Sequence, residues 1–308
     1  MPWKSGRKAG ARQVRVTLQD PVLAGKLRWN VHTGTGPLMI DSEVAMTSAP
    51  PRPDRSSPFP GAPGGPRHRA TLARSVRLLR AFRHEKGDPE YFYGLMARDT
   101  VAQLASYTEL EGAVVIDVGT GSGFLARALT AAGARCAGID HDLAELTAHR
   151  AVQKNTFVGS ALALPFRTGC ADVCLSSNVL EHVAEPWRMA DEMVRVTRPG
   201  GTVFLSFTNW LSPWGGHETS PWHYFGGDRA ARRYERRHGR PPKNRYGQSL
   251  HPVSVSAALR WARRRPDVDV VDALPRYHPR WAAGVVHVPG LREILTWNLL
   301  LVLRKKGT

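Results

Sequence analysis

The chain has 308 residues, 42% of them hydrophobic, and carries a formal net charge of +17 at pH 7. This length and composition allow one large or two small globular domains, and the charge favours acidic partners or anionic surfaces. Three cysteines (Cys136, Cys170 and Cys174) are too few for a disulfide framework, and we find neither a secretory signal nor an apolar run of the about 20 residues that cross a bilayer. We therefore expect a cytoplasmic protein.

The first 68 residues show no sustained hydrophobic periodicity, and residues 49–66 are rich in Pro, Gly and Ser. Such a composition buries too little apolar surface to offset the entropy lost on ordering. We therefore predict a disordered basic tail over residues 1–68, followed by a folded domain over residues 69–308.

Two helices are predicted ahead of the first strand. Leu72, Val76, Leu79 and Phe82 recur at spacings of four and three, which is typical of one helix face. The Asp-Pro pair at residues 88–89 indicates the start of the second helix, with a capping side chain and a proline in the first turn. A second row of the first helix is basic, and we interpret it as a solvated face, with a ligand-binding row as the alternative: Arg74, Arg77, Arg80 and Arg83.

The rest of the chain alternates between short apolar runs and amphipathic runs. Apolar runs predict strands over residues 114–118, 134–139, 156–158, 172–176, 202–207, 268–274 and 295–304. Helical spacing predicts helices over residues 123–132, 142–152 and 187–197, and from a capping serine at position 254 to residue 264. Strands that alternate with helices indicate an α/β fold with a doubly wound, mostly parallel sheet.

A glycine-rich motif links the first of these strands to the next helix. The strand at 114–118 is apolar apart from Asp117 and runs into three alternating glycines over residues 119–123. Glycines are needed where the backbone turns sharply and where a ligand must contact the main chain. A dinucleotide fingerprint requires another glycine where Phe124 stands, and no Gly-Lys-Ser/Thr follows for a P-loop.

An acidic residue follows the second strand at the spacing that nucleotide-type ligands require. Asp140 comes 21 residues after Gly119, and a carboxylate at this place accepts both hydroxyls of a ribose. The alternative is that Asp140 caps the following helix. The glycine motif and the acid together predict a nucleoside-containing ligand.

Five segments in this order resemble the class I methyltransferases that depend on S-adenosylmethionine (SAM), especially their small-molecule branch. The resemblance covers residues 110–207, and its segments lie at residues 117–123, 138–140, 159–166, 172–183 and 195–201. It implies a Rossmann-like, seven-stranded sheet and SAM as cofactor. More loosely, residues 69–308 resemble a group of actinobacterial methyltransferases.

The resemblance also implies which residues hold the cofactor. Gly119 and Gly121 would lie against the methionine part of SAM, and Asp140 would bind the ribose. The adenine would lie beside residues 160–161, where a serine stands in place of the aspartate frequent in the family, and residues 177–178 would close the pocket near the sulfonium. The full set is Asp117, Gly119, Thr120, Gly121, Gly123, Asp140, Ser160, Ala161, Ser177 and Asn178.

Glu181 and His182 are the candidate catalytic residues, because they follow the fourth strand at the edge where open α/β sheets bind ligands. Methyl transfer to a hydroxyl or amine needs alignment with the sulfonium and a route for the proton. The alternative is that both side chains only brace the loop. The resemblance offers a metal as a further alternative, since some quinone-pathway relatives bind magnesium through an acid at the position of Asn178 together with Glu181 and His182. We expect no metal site here, because the first of these positions holds an asparagine.

Residues 209–252 follow the fifth strand, where the family often inserts elements that cover the substrate, and we predict such an element here. Its tryptophans, Trp210, Trp214 and Trp222, suit stacking on sugar rings or the packing of a small cap. A basic run over residues 229–245 would form one positive stripe on a helix, which suits an anionic partner or a solvated face.

From these features we predict a SAM-dependent methyltransferase that modifies a small or medium-sized acceptor at oxygen. A glycosylated or anionic cell-envelope precursor fits the aromatic and basic residues, and it would bring the protein to the inner face of the membrane. Nucleic acid is disfavoured, because the segment at residues 176–179 lacks the Asn/Asp-Pro-Pro-aromatic motif of nucleobase amino-methylating enzymes. The alternatives are a nucleic-acid-modifying methyltransferase and a SAM-binding protein without catalytic activity.

Overall fold

The computed structural model describes residues 68–85, 87–148 and 154–307. The predicted disordered tail lies outside these residues except for His68. The last part of the helix predicted over residues 142–152 also lies outside them.

A seven-stranded sheet forms the centre of the described chain, with the strand order β3-β2-β1-β4-β5-β7-β6. Strands β1 to β5 are parallel to one another, and β7 runs antiparallel between β5 and β6. This arrangement confirms the predicted α/β fold with a mostly parallel sheet. The strands are β1 (Val114–Val118), β2 (Arg135–Asp140), β3 (Thr156–Val158), β4 (Ala171–Ser177), β5 (Thr197–Thr208), β6 (Val268–Pro275) and β7 (Asn298–Lys305).

Helices cover both faces of this sheet, as expected for a doubly wound fold. The α-helices are α1 (Leu72–Ala81), α2 (Pro89–Leu104), α3 (Phe124–Ala131), α4 (Leu143–Thr147), α5 (Pro186–Val196), α6 (Gly227–His238), α7 (Val255–Arg264) and α8 (Leu291–Leu295). Short 3-10 helices lie at Phe82–His84, Leu180–His182, His217–Thr219, Trp222–Phe225 and Arg280–His287. None of the helices in the described residues is long and apolar enough to cross a membrane.

The core lies on both sides of the sheet, because side chains alternate along each strand. In β1, Ile116 faces a cluster that includes Met189 of α5, whereas Val115 faces a second cluster that includes Leu129 of α3. All five residues of β1 are buried. A strand buried on both faces reads as a continuous apolar run, which explains why its bounds match the prediction.

Helix α1 forms where it was predicted, but its orientation differs from the sequence interpretation. Arg74 belongs to the row interpreted as solvated, yet it is buried and paired with Asp99 of α2 through two hydrogen bonds of 2.8 and 2.6 Å. Leu72, Val76 and Leu79 are exposed instead. The helix therefore points Arg74 inward, because its charge is paired there with the carboxylate of Asp99.

Local capping follows the sequence signals. Asp88 accepts a hydrogen bond from the Tyr91 N–H at 3.0 Å, and Ser254 accepts one from the Ala257 N–H at 3.1 Å. Strand β5 begins five residues earlier than predicted, at Thr197, which pairs with Ala171 ahead of an irregularity in the register.

Candidate functional site

The glycine motif forms a tight loop between β1 and α3. Gly119 has a φ of +78°, and its N–H donates to the Ile139 carbonyl at 2.8 Å. A Cβ at this glycine would lie 2.3 Å from Cγ2 of Val179, so no side chain fits there. Gly121 has a φ of +49°, and a Cβ there would meet no atom within 4 Å. The loop thus packs against Val179 at one glycine and faces open space at the other.

Asp117 lies beneath this loop. Its carboxylate is buried and accepts a hydrogen bond from the Thr120 hydroxyl at 2.8 Å. Burial raises the pKa of Asp117 to about 7, an effect that the Thr120 hydrogen bond opposes and the charge of Asp140 strengthens. The two predicted site residues Asp117 and Thr120 therefore hold the shape of the loop.

Asp140 lies at the end of β2, directly opposite the loop. One carboxylate oxygen accepts the Gly121 N–H at 2.9 Å, and the other accepts the Asp142 N–H at 3.1 Å. Helix α4 is capped by Asp142, which accepts the Ala144 N–H at 2.8 Å, so the alternative role of Asp140 as the helix cap is wrong. A carboxylate has about four acceptor sites. The His141 ring Nδ1 also lies 3.4 Å from Oδ1 of Asp140, so the carboxylate keeps acceptor capacity mainly on the oxygen that binds the Gly121 N–H.

Two predicted cofactor residues follow β3. Ser160 is exposed, and its hydroxyl accepts the Leu162 N–H at 3.1 Å. Ala161 packs partly buried against the core. The serine hydroxyl is thus held in a local turn, at the edge of the sheet that also carries Asp140.

Two more predicted residues follow β4. The Ser177 hydroxyl accepts a hydrogen bond from the Arg276 guanidinium at 2.7 Å. Asn178 is exposed with a φ of +59°, and its side-chain carbonyl accepts from the Asn298 amide at 2.7 Å. The structure therefore holds both residues at the carboxyl edge, Ser177 through Arg276, which follows β6, and Asn178 through Asn298 of β7.

Glu181 and His182 lie in the 3-10 turn after β4. Glu181 is 1% exposed, and its Oε1 accepts the Thr208 N–H at 2.9 Å. Its Oε2 has no hydrogen-bond partner among residues 68–85, 87–148 and 154–307. His182 Nδ1 lies 2.7 Å from the Ser249 carbonyl, which leaves Nε2 available. One atom of each side chain thus holds the loop, and a second atom is available to contact a ligand.

The structure adds a third residue to this pair. His217, in the 209–252 segment, places its ring centroid 5.0 Å from that of His182, at a near-perpendicular angle of 77°. Burial lowers the pKa of His217, a shift that the Glu181 charge opposes. Its contact with Glu181 and His182 was not predicted, because 35 residues separate the two histidines along the chain.

Comparison with known proteins agrees with this geometry. A family model described as "Methyltransferase domain" matches residues 116–205, which include the loop, Asp140 and the turn at Glu181. A methyltransferase named as uncharacterized from Mycobacteroides abscessus is 52% identical over 251 residues, covering 77% of this chain and 96% of the relative. One from Mycolicibacterium vanbaalenii is 54% identical over 246 residues, with the same coverage. The chain belongs to the class I methyltransferase family.

Among solved structures, this chain is similar to a SAM-dependent methyltransferase from Mesorhizobium loti. Identity is 18% and the TM-score 0.45, with 64% of this chain and 93% of that chain covered. A TehB-like SAM-dependent methyltransferase from Corynebacterium glutamicum gives 17% identity and a TM-score of 0.45, over 76% of this chain and 99% of that chain.

Arg276 is a buried residue of the candidate site that sequence reasoning missed. It follows β6 at the same edge as Ser177, is 1% exposed, and donates to the hydroxyls of Thr100 (2.6 Å) and Ser206 as well as Ser177. Its backbone carbonyl accepts from Arg74 at 3.0 Å. The one sequence signal for Arg276 is its place directly after a strand. Most arginines in such positions are not buried, so this signal does not predict the burial of Arg276.

The tryptophans of the 209–252 segment divide between packing and exposure. Trp210 packs on His223 and Tyr246, with ring centroids 5.2 and 5.1 Å apart. Trp222 is 41% exposed, and the Arg233 guanidinium of α6 lies 3.8 Å from its ring centroid. Packing therefore explains Trp210, while Trp222 joins an exposed aromatic side chain to the basic helix.

Proposed function

We propose that this methyltransferase takes its methyl group from SAM and transfers it to an oxygen atom of a small or medium-sized anionic acceptor, such as a glycosylated or lipid-linked cell-envelope precursor. The observation that carries the cofactor is the contact between Asp140 and the Gly121 N–H, because it fixes a carboxylate beside an open glycine loop. Rossmann-type folds that bind nucleotides combine these two features.

SAM supplies an electrophilic methyl group on a sulfonium when it is bound. Asp140 would accept the two ribose hydroxyls, and Ser160 with Ala161 would border the adenine. The methionine part would lie on the loop at residues 119–123. Its carboxylate would meet the N-terminus of α3, which has no side-chain cap among the described residues and favours an anion.

The acceptor would approach the carboxyl edge of the sheet beside Ser177 and Asn178. Its oxygen must lie in line with the sulfonium, and a hydroxyl must lose its proton. Glu181 Oε2, which has no hydrogen-bond partner among the described residues, and His182 Nε2 would take that proton.

Charge on α6 supports an anionic acceptor. Arginines at positions i and i+4 stack on a helix, and like charges at this spacing destabilise it unless an anion binds. Four of them are exposed on α6, and none pairs with a carboxylate among the described residues: Arg232, Arg233, Arg236 and Arg237. Because Arg233 covers Trp222, the stripe and the exposed ring form one surface that suits a phosphate or carboxylate next to a sugar.

The test compares two triple charge reversals. Arg232, Arg236 and Arg237 are changed to Glu on α6, sparing the residue that packs on the tryptophan. The control changes the exposed residues Arg260, Arg263 and Arg264 of α7 to Glu. Both variants are incubated with labelled SAM and a cell-envelope lipid extract, and they are mixed with vesicles of phosphatidylglycerol or of neutral lipid.

We expect the α6 variant to lose at least tenfold in label transfer to the extract and in binding to anionic vesicles, with SAM affinity unchanged, whereas the α7 variant keeps both. Equal behaviour of the two variants would contradict the acceptor surface. Binding of RNA with a steep salt dependence, without transfer to the extract, would favour the nucleic-acid alternative.

A further inference from the structure

Three side chains with metal-binding atoms converge next to the carboxyl edge of the sheet. Glu181, His182 and His217 each offer one ligand atom, and these atoms lie within 4.8 Å of one another. Ligand atoms about 2 Å from one tetrahedral ion lie about 3.3 Å apart, so binding an ion requires these side chains to move closer by up to about 1.5 Å. The three come from two segments, the 3-10 turn after β4 and the 3-10 turn at His217–Thr219.

Glu181 carries a buried oxygen that lacks a partner. The residue is 1% exposed, its Oε1 accepts the Thr208 N–H, and its Oε2 has no hydrogen-bond partner in the part of the chain that the structure describes. Burial of an unpaired carboxylate oxygen is unfavourable, and native structures rarely keep such an atom without a role. The two imidazoles are close enough to the Glu181 carboxylate to hold a ligand together with it.

Backbone carbonyls orient both imidazoles. Nδ1 of His182 lies 2.7 Å from the Ser249 carbonyl, and Nδ1 of His217 lies 3.4 Å from the Gly215 carbonyl. A carbonyl at Nδ1 favours the tautomer that keeps its proton there and has its lone pair on Nε2. Metal-binding histidines are typically held in this way, by a carbonyl or carboxylate on the nitrogen opposite the metal.

We propose that Glu181, His182 and His217 bind one divalent transition-metal ion, with Zn²⁺ as the reference ion. Two imidazoles and one carboxylate suit Zn²⁺, Mn²⁺, Fe²⁺ or Co²⁺ better than Mg²⁺, which prefers oxygen ligands alone. The sequence disfavoured a metal because of Asn178, and that residue is indeed engaged elsewhere, with Asn298. The third ligand is instead His217, which the 209–252 segment delivers.

Three protein ligands leave coordination positions open, and this gives the ion a role that rests on the proposed function. An acceptor hydroxyl bound to the ion would have a lowered pKa and release its proton to solvent. Its oxygen would then form a bond to the methyl carbon while the carbon–sulfur bond breaks, leaving a neutral thioether. The ion would thus replace Glu181 and His182 as the means of activating the acceptor.

The test measures metal binding directly. The full chain is stripped with a chelator and titrated with Zn²⁺ by calorimetry and with Co²⁺ by visible absorption. The variants are His217→Ala, Glu181→Gln and, as a matched control, His238→Ala, an exposed histidine at the end of α6. Melting curves without metal and SAM titrations without metal show whether each variant folds and keeps the cofactor site.

We expect one ion per parent chain, at least tenfold weaker Zn²⁺ binding in His217→Ala and Glu181→Gln, and unchanged binding in His238→Ala. SAM affinity without metal should be the same in the parent and in His217→Ala. Because Glu181 also braces β5, the readout that decides is His217→Ala, with His217→Asp expected to restore part of the affinity.

Absence of stoichiometric binding by the parent, or equal Zn²⁺ affinity in the parent and in His217→Ala, would overturn the metal site while leaving the proposed function intact. Tight metal binding without methyl transfer to any acceptor would instead count against the proposed function. The two failures are therefore distinguishable.

Discussion

Asp140 accepts the Gly121 N–H at 2.9 Å and so joins the end of β2 to the glycine loop. Replacing Asp140 by Ala removes this bond together with the proposed charge-assisted bonds to the ribose, and we expect SAM to bind about ten- to a hundredfold more weakly, or ~1.5–3 kcal/mol. Calorimetry measures this. The Asp142→Ala variant, which loses the cap of α4, serves as the control and should bind SAM nearly as well as the parent. Equal SAM binding by Asp140→Ala, or a preference of the parent for NAD, would refute the cofactor assignment.

The first two glycines of the loop differ in how well they should tolerate a methyl group. Alanine at Gly119 would place Cβ against Val179 at a positive φ, whereas alanine at Gly121 would enter open space at a φ closer to the left-handed region that L-residues can adopt. We expect Gly119→Ala to lower stability by about 1–3 kcal/mol. Gly121→Ala should change stability less and act mainly on SAM affinity. Thermal melting and SAM titration of the two variants separate these effects, and equal melting temperatures would contradict the packing against Val179.

Asp117 predicts a pH dependence of stability. Its pKa is raised from 3.8 to about 7 in the folded chain, so between these values the folded state holds a proton that the unfolded state releases. Stability from this group is therefore greatest at low pH, falls as pH rises toward about 7 at up to ~1.4 kcal/mol per unit, and levels off above it. Asp117→Asn removes the titration and keeps an acceptor for Thr120. The difference in unfolding free energy between the parent and Asp117→Asn, measured in denaturant without SAM, should shift in favour of the variant across this range; parallel curves would contradict the shift.

The tail prediction is tested by deleting residues 1–67. We expect the melting temperature and SAM affinity to stay within error, because the pairing of α1 with α2 begins at Arg74. Arg74→Met is the comparison: it leaves Asp99 buried without a cation, which costs about 3–5 kcal/mol. Adding Asp99→Asn to Arg74→Met should restore part of this loss. A deletion variant as unstable as Arg74→Met would show that the tail packs on the domain.

Fold features governed by local pattern were predictable from the sequence. Strand β1 was bounded to the residue, since a strand buried on both faces is apolar throughout, and the caps at Asp88 and Ser254 depend on side chains next to the helices they serve. The orientation of α1 was not predictable in this way. Its apolar spacing is periodic, but the inward turn of Arg74 depends on Asp99, 25 residues away on another helix.

The residues of the candidate site also divide into those that a sequence motif predicts and those that only tertiary contacts place. Asp140 and the loop belong to one motif with a characteristic spacing, so their association was predicted. His217 and Arg276 reach the edge through contacts that no spacing records: one arrives in a turn of the 209–252 segment, and the other stays buried because three hydroxyls solvate its guanidinium. The positions of these two residues depend on tertiary contacts, which no sequence motif records.

The position of β7 affects how the chain folds during synthesis. This strand lies between β5 and β6, and residues 298–303 are buried. Until the ribosome has made them, β5 has a bare edge that runs through the core residues Phe204 and Phe207, and β6, whose pairing in the described chain is with β7, has no neighbour to dock on. A nascent chain in this state offers an apolar strand edge to any other extended segment. A chain that ends before residue 298 should therefore be bound by chaperones, whereas the released full chain can close the sheet.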